Sequence, residues 1–292
     1  MKTLLLLFLI VFLYFLFTSF IGFYTSIRPP KIISTLTPSD LQLEYEDVSF
    51  VTRDGVTLRG WFIPQSGHDA EEMARRGERT QKTIILLHGY PADKGDILPS
   101  FAFLSKTYNL LLFDFRYLGE SGGTYSTAGA REKEDLLAAI QFLKLRGIER
   151  VGIWGFSVGG AVALMTAPHA PEIQALVSQS SYASLNHMVP ELYRVPFLKY
   201  PLAYLTRLWA FTILGIDLRE VSPARSAKNI SIPVFIIHSK NDDVISFRHA
   251  LLIQEALKEN PQAEFWFEDN LIHGGFGPVY QKRILEFFQR NL

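Results

Sequence analysis

The chain has 292 residues, 29 Lys and Arg against 29 Asp and Glu, and no cysteine. That length fits one large α/β domain or two small ones, and it buries a core without covalent staples. The missing cysteine excludes disulfides, a thiol nucleophile and a thiolate metal site, and the zero net charge argues against a nucleic-acid partner.

Lys2 and Arg28 are the first two charges. Residues 3–27 between them are mostly Leu, Phe, Ile, Val and Tyr. About 20 such residues suffice to cross a hydrocarbon core. A cleaved signal peptide needs small residues two apart after its apolar stretch. Between Phe17 and Pro30 no such pair occurs: Thr18 matches Phe20, Ser19 matches Ile21 and Gly22 matches Tyr24. Residues 1–27 are therefore expected to be an uncleaved, single-pass transmembrane anchor, ended by Pro29-Pro30. Lys2 on one side nearly balances Arg28 and Lys31 on the other. The very short N-terminal tail favours an inside N-terminus, with the bulk of the chain on the non-cytoplasmic side.

Residues 28–42 read as a linker, and a domain is expected over 43–292. Runs at 43–52 and 56–64 flank Asp54-Gly55 and predict a β-hairpin. His68 to Gln81 is polar and charged, as in a surface loop. Strand and helix patterns then alternate. Strands are expected at Thr83–His88, Asn109–Phe113, Val151–Trp154, Ile173–Val177, Val234–His238 and Ala263–Glu268. Helices are expected at Ile97–Lys106, Arg131–Leu145, Ser157–Met165, Phe247–Glu259 and Pro278–Arg290. This predicts an α/β fold: a mostly parallel sheet, helices on both faces, and antiparallel edge strands from the hairpin. Residues 180–230 break the alternation with many aromatics and read as short helices inserted as a cap.

Gly155-Phe156-Ser157-Val158-Gly159 follows one of these strands and opens a helix. In that context G-x-S-x-G marks a nucleophile elbow. The turn is so sharp that Gly155 and Gly159 crowd each other and the Ser takes a strained backbone conformation. The hydroxyl is thereby exposed at a helix N-terminus, where developing negative charge is favoured. A hydroxyl needs a base, and the chain order for such an elbow is Ser, then acid, then His, each after a strand. Asp242 follows the Val234–His238 strand, and His273 follows the Ala263–Glu268 strand. Asp243 is the rival acid. His68, His169, His187 and His249 carry ordinary structural readings, with lining the site a lesser alternative for His187 in the insertion. His88-Gly89-Tyr90 closes the first parallel strand. Its loop supplies the Tyr90 N–H as one oxyanion donor, and the Val158 N–H is the other. Each such donor is worth about 2.7–4 kcal/mol in the transition state.

Taken together, His88-Gly89, Asp114-Phe115-Arg116 with Gly119-Glu120-Ser121-Gly122, the elbow, the Asp242 loop and the His273 loop resemble the α/β-hydrolase fold superfamily, in its serine-hydrolase branch. The resemblance spans residues 43–292. It implies a triad of Ser157, Asp242 and His273, and a cap over 180–230. Relatives often carry Gly soon after the Arg, where this chain has Tyr117-Leu118. The reading is a membrane-anchored hydrolase of a carboxylic ester or thioester, with a small-molecule or lipid-like acyl substrate and no cofactor or metal. A peptidase or amidase on the same fold is one alternative. A non-catalytic binding protein that kept the fold is another, and its signature would be a lost triad.

Overall fold

The computed structural model describes residues 1–66, 82–269, 272–275 and 277–292. The polar stretch His68–Gln81 lies outside the described residues. The strands are β1 (Glu46–Val51), β2 (Thr57–Ile63), β3 (Thr83–Leu87), β4 (Asn109–Phe113), β5 (Val151–Phe156), β6 (Ile173–Gln179), β7 (Val234–Ser239) and β8 (Ala263–Glu268). They form one eight-stranded sheet in the order β1-β2-β4-β3-β5-β6-β7-β8. The hairpin β1–β2 is antiparallel, β2 also runs antiparallel to β4, and every other pairing is parallel.

Unbroken apolar runs become central strands because the sheet is covered on both faces. Side chains alternate between two separate cores. Ile85, Leu87, Leu111 and Phe113 face one, and Ile84, Leu86, Leu110 and Leu112 face the other. The covering helices are α2 (Lys94–Phe101), α3 (Glu132–Leu145), α4 (Val158–Thr166), α8 (Phe247–Ala256) and α9 (Pro278–Asn291). Phe101 of α2 lies 3.8 Å, centroid to centroid, from the buried Trp154 of β5. The helix expected over Ile97–Lys106 divides into α2 and a 3₁₀ turn at Ala102–Lys106.

Between β6 and β7 the chain forms α5 (Leu185–Glu191), α6 (Lys199–Trp209) and α7 (Pro223–Ala227). A π-helical turn at Ala210–Leu214 continues α6 and ends at Gly215. These pieces build the cap.

At the other end of the sequence, α1 (Lys2–Ile27) is long and apolar enough to cross a membrane. Its first turns are exposed, but Phe23 and Ile27 are buried against the cap and the α4 face. Trp209 donates to Ser19 Oγ at 3.1 Å, and Phe20 meets the Trp209 ring edge-on at 5.5 Å. The stretch 28–42 is fastened along its course. Tyr117 Oη donates to Pro29 O at 3.0 Å, Lys31 Nζ to Ser121 O at 2.8 Å, and the Ser34 N–H to Asp93 at 2.6 Å. It contains a 3₁₀ turn at Pro38–Leu41 with a Thr37–Asp40 capping box.

Candidate active site

The elbow forms where β5 hands over to α4. Ser157 occupies the N-cap position with φ 54° and ψ −115°, outside the regions that ordinary residues favour. Such a conformation costs about 1–3 kcal/mol and persists because its surroundings hold it. The Ser157 N–H donates to Gln179 O of β6 at 2.8 Å, and its carbonyl accepts from the Ala161 N–H at 3.1 Å. A Cβ on Gly155 would lie 2.5 Å from the carbonyl carbon of Gly159, so the two glycines do crowd each other. A Cβ on Gly159 would also meet the Leu87 carbonyl oxygen at 2.5 Å.

His273 sits on the loop after β8, with its Nδ1 2.8 Å from Asp242 Oδ2 and 3.0 Å from Oδ1. Its ring lies 4.8 Å from that of Phe156, the residue before the elbow serine. The Asp242 carboxylate is fully buried, and its Oδ1 accepts from the N–H groups of Ile245 at 2.8 Å and Val244 at 3.0 Å. Burial pushes this carboxyl up. The His273 bond and the two backbone donors outweigh that and hold it below the usual aspartate range. Asp243, the rival acid, accepts from the His273 backbone N–H at 3.4 Å and, among the described residues, makes no contact with the imidazole. The geometry pairs Asp242 with the imidazole.

The His88 loop lies against the same corner. A Cβ on Gly89 would come 2.9 Å from the Phe156 ring and 3.4 Å from Ser157 Cβ, so only glycine lets this backbone approach the serine. His88 is fully buried. Its Nε2 accepts from the Phe115 N–H at 3.0 Å, so the proton resides on Nδ1, which donates to Gly89 O at 2.7 Å. Burial keeps His88 neutral by lowering its pKa, as this tautomer requires. His88 thus shapes the loop and does not face the cavity. Tyr90 and Val158 both line the cavity that Ser157 borders. Val158 is the first residue of α4, where geometry leaves the N–H without an intrahelical acceptor.

That cavity measures about 240 Å³ and is largely apolar. The cap supplies Met188 and Leu214, and α1 supplies Phe23, Ser26 and Ile27. Sequence reading missed the contribution of α1, because an apolar span gives no sign of which residues turn toward protein.

Two further supports were also missed. His238 is buried at the end of β7, 3.6 Å from Asp242 Oδ2, and its Nε2 donates to Ile245 O at 2.9 Å. Burial lowers its pKa, so it stays neutral behind the Asp242 carboxylate. The i, i+4 spacing from His238 to Asp242 was the available signal. On the opposite side, Trp154 Nε1 donates to Tyr280 Oη, which in turn donates to the Gln179 side chain. Gln179 reaches the His273 loop at Gly275 O, 3.5 Å away.

The other described histidines do not line the cavity. His187 lines a separate surface hollow with Arg219 and Arg225 and does not border the Ser157 cavity, which agrees with its structural reading. His249 Nδ1 accepts from the Ala183 N–H at 3.0 Å. His68 lies outside the described residues.

The position where relatives often carry Gly has a structural account. Tyr117 has φ 68°, in the left-handed region that favours glycine. Its side chain reaches the stretch after α1, bonding Pro29 O and lying under Lys31 Nζ at 5.6 Å.

Comparison with known proteins agrees with this architecture. A family model described as the alpha/beta hydrolase fold matches residues 82–212. The Pyrococcus furiosus esterase Pf2001 superposes with a TM-score of 0.72 at 30% identity, covering 90% of this chain and 99% of its own. YfhR of Escherichia coli strain K12 is 28% identical over 253 residues, 83% of this chain and 80% of its own. The thiohydrolase aneE of Aspergillus aculeatus is 31% identical over 150 residues, 49% of this chain and 43% of its own. The chain belongs to the α/β-hydrolase fold family, with esterase and thiohydrolase relatives.

Proposed function

We propose that the chain is a membrane-anchored serine hydrolase that cleaves a carboxylic ester or thioester through Ser157, His273 and Asp242. One observation carries the reading. A buried Asp242 carboxylate holds His273 Nδ1 at 2.8 Å, and the imidazole lies 4.8 Å from the ring of the residue that precedes a strained, helix-capping serine. Asp242 fixes the tautomer that leaves Nε2 free as a base. Ser157 Oγ attacks the acyl carbon while His273 takes its proton. The carbonyl oxygen becomes an oxyanion held by the Tyr90 and Val158 N–H groups. The bond to the leaving oxygen or sulfur then breaks, and that atom receives the proton from His273. Water repeats the sequence on the acyl-enzyme, releasing the acid and restoring the serine.

Anchoring through α1 rests on its length and on its docking. Phe23 and Ile27 are buried, and Ile27 O accepts from the Ser126 N–H at 2.9 Å. A helix removed as a signal peptide would leave those partners and one wall of the cavity exposed.

Covalent labelling with a fluorescent organophosphonate tests the reading. Detergent-solubilised wild type is expected to label, and Ser157→Ala and His273→Ala to lose labelling. Ester hydrolysis by either variant should fall by roughly 10⁴–10⁶-fold. A folded wild type that stays unlabelled overturns the proposal.

A further inference from the structure

The Ser157 cavity is not closed by the hydrolase domain and cap alone. Phe23, Ser26 and Ile27 of α1 form part of its wall, facing Met188 and Leu214 of the cap. The length of α1 says where this wall sits. Its 26 residues extend about 39 Å, whereas about 20 residues cross a hydrocarbon core. The last six, Gly22 to Ile27, are surplus to the crossing, and both buried residues of α1 are among them. The cavity wall therefore begins where the span leaves the hydrocarbon.

The cap carries a second, independent feature at the same level. Phe197, Tyr200, Tyr204 and Phe211 are 92%, 72%, 66% and 63% exposed. Their spacing of three, four and seven places them on one side of α6 and its approach. Isolated exposed apolar residues are ordinary, but an aromatic stripe of this kind marks an interaction surface. The stripe belongs to the helix that Trp209 fastens to α1 through Ser19 and Phe20. Tyrosine-rich faces of this type settle at the boundary between lipid and water. Trp209 packs against α1 from the opposite side of α6, so the stripe is a second exposed apolar surface one helix away from the exposed turns of α1.

We propose that the acyl pocket is completed by α1 and opens toward the bilayer beside α6, so that its occupant is the long, unbranched acyl chain of a lipid-resident ester. The inference rests on the serine-hydrolase reading above and adds the substrate class. Ser157 lines the pocket together with α1 and cap residues, so the chain lies between α1 and the cap. Withdrawal of the chain from lipid into an apolar pocket keeps it out of water throughout.

The test uses the full chain in phosphatidylcholine nanodiscs, with p-nitrophenyl acetate, hexanoate and dodecanoate as substrates. For wild type, kcat/KM should rise with acyl length by up to about fourfold per methylene until the pocket is full. Phe23→Trp and Ile27→Trp fill the α1 wall and should lower the dodecanoate-to-acetate ratio at least about tenfold. Ile27→Ala enlarges the pocket and should move the preference toward the longer ester. Phe12→Trp, on an exposed turn of the span, should leave the ratio as in wild type. Phosphonate labelling is read in parallel. Normal labelling with no change of ratio in the wall variants, or a wild type that prefers acetate, overturns this inference alone. An unlabelled wild type overturns the serine-hydrolase reading beneath it.

Discussion

At the scale of single residues, the two adjacent aspartates separate by which atom of His273 they meet. Asp242 holds Nδ1, whereas Asp243 accepts from the backbone N–H. Asp242→Asn should reduce kcat by about 10⁴-fold, because an amide no longer enforces the reactive tautomer. Asp243→Asn should cost less than about tenfold, the scale of a lost peripheral contact. Steady-state ester hydrolysis by the two variants checks this, and equal losses would contradict the assignment. The sequence order points to Ser157 and His273 as the candidate nucleophile and base, since a strand precedes each. It favours Asp242 over its neighbour Asp243, but which carboxylate points at the ring depends on the turn made by Val244 and Ile245. That turn exists only once their N–H groups converge on Asp242 Oδ1.

At the scale of elements, the loop after β4 shows how the site corner is braced. Asp114 accepts from the Lys94 and Glu120 backbone N–H groups, each at 2.8 Å, and from Lys94 Nζ at 2.9 Å. Arg116 bridges Asp135 of α3, with Nη2 2.7 Å from Oδ1, and Asp54 of the β1–β2 turn, also at 2.7 Å. Arg116 and Asp135 are both buried, so removal of Arg116 leaves the buried Asp135 carboxyl without its cationic partner. Arg116→Met should therefore destabilise by about 3–5 kcal/mol, a fall of roughly 10 °C in thermal midpoint. Thermal melts in detergent measure it. The paired variant Arg116→Met/Asp135→Leu should recover much of the loss, because an apolar pair of similar volume leaves no buried charge. The same logic explains the elbow. Gly155 and Gly159 are needed because two backbones touch, which no local propensity records.

At the scale of the whole molecule, two neutral histidines are sealed under the sheet's C-terminal edge. His88 and His238 are both held below the ordinary histidine pKa by burial. The unfolded chain binds protons below about pH 6.5, where the folded chain keeps these rings neutral. Stability is then full above that value and declines as pH falls, by up to about 1.4 kcal/mol per pH unit for each ring. Denaturant midpoints between about pH 7.5 and 5.5 should show this decline. His238→Gln should flatten the slope, and a profile that is flat in wild type would contradict it.

What the sequence determined by itself was the class of fold, and it nominated the candidate site residues. Alternating strand and helix periods specify a parallel sheet, and G-x-S-x-G between a strand and a helix specifies an elbow, because both are local patterns under strong steric constraint. The expected strands recur as β1 to β8, with ends shifted by a few residues where hydrogen-bond partners, not propensity, set the limit. Only the tertiary structure decided the rest. It set the Asp242 carboxylate against His273 Nδ1, placed neutral His238 behind the carboxylate, used Tyr117 where a glycine conformation is required, and turned Phe23 and Ile27 of an apolar helix into a cavity wall. Each of these depends on contacts between segments far apart in the chain. Such contacts follow from how the faces pack, and a uniformly apolar helix like α1 carries no period that says which face will be covered.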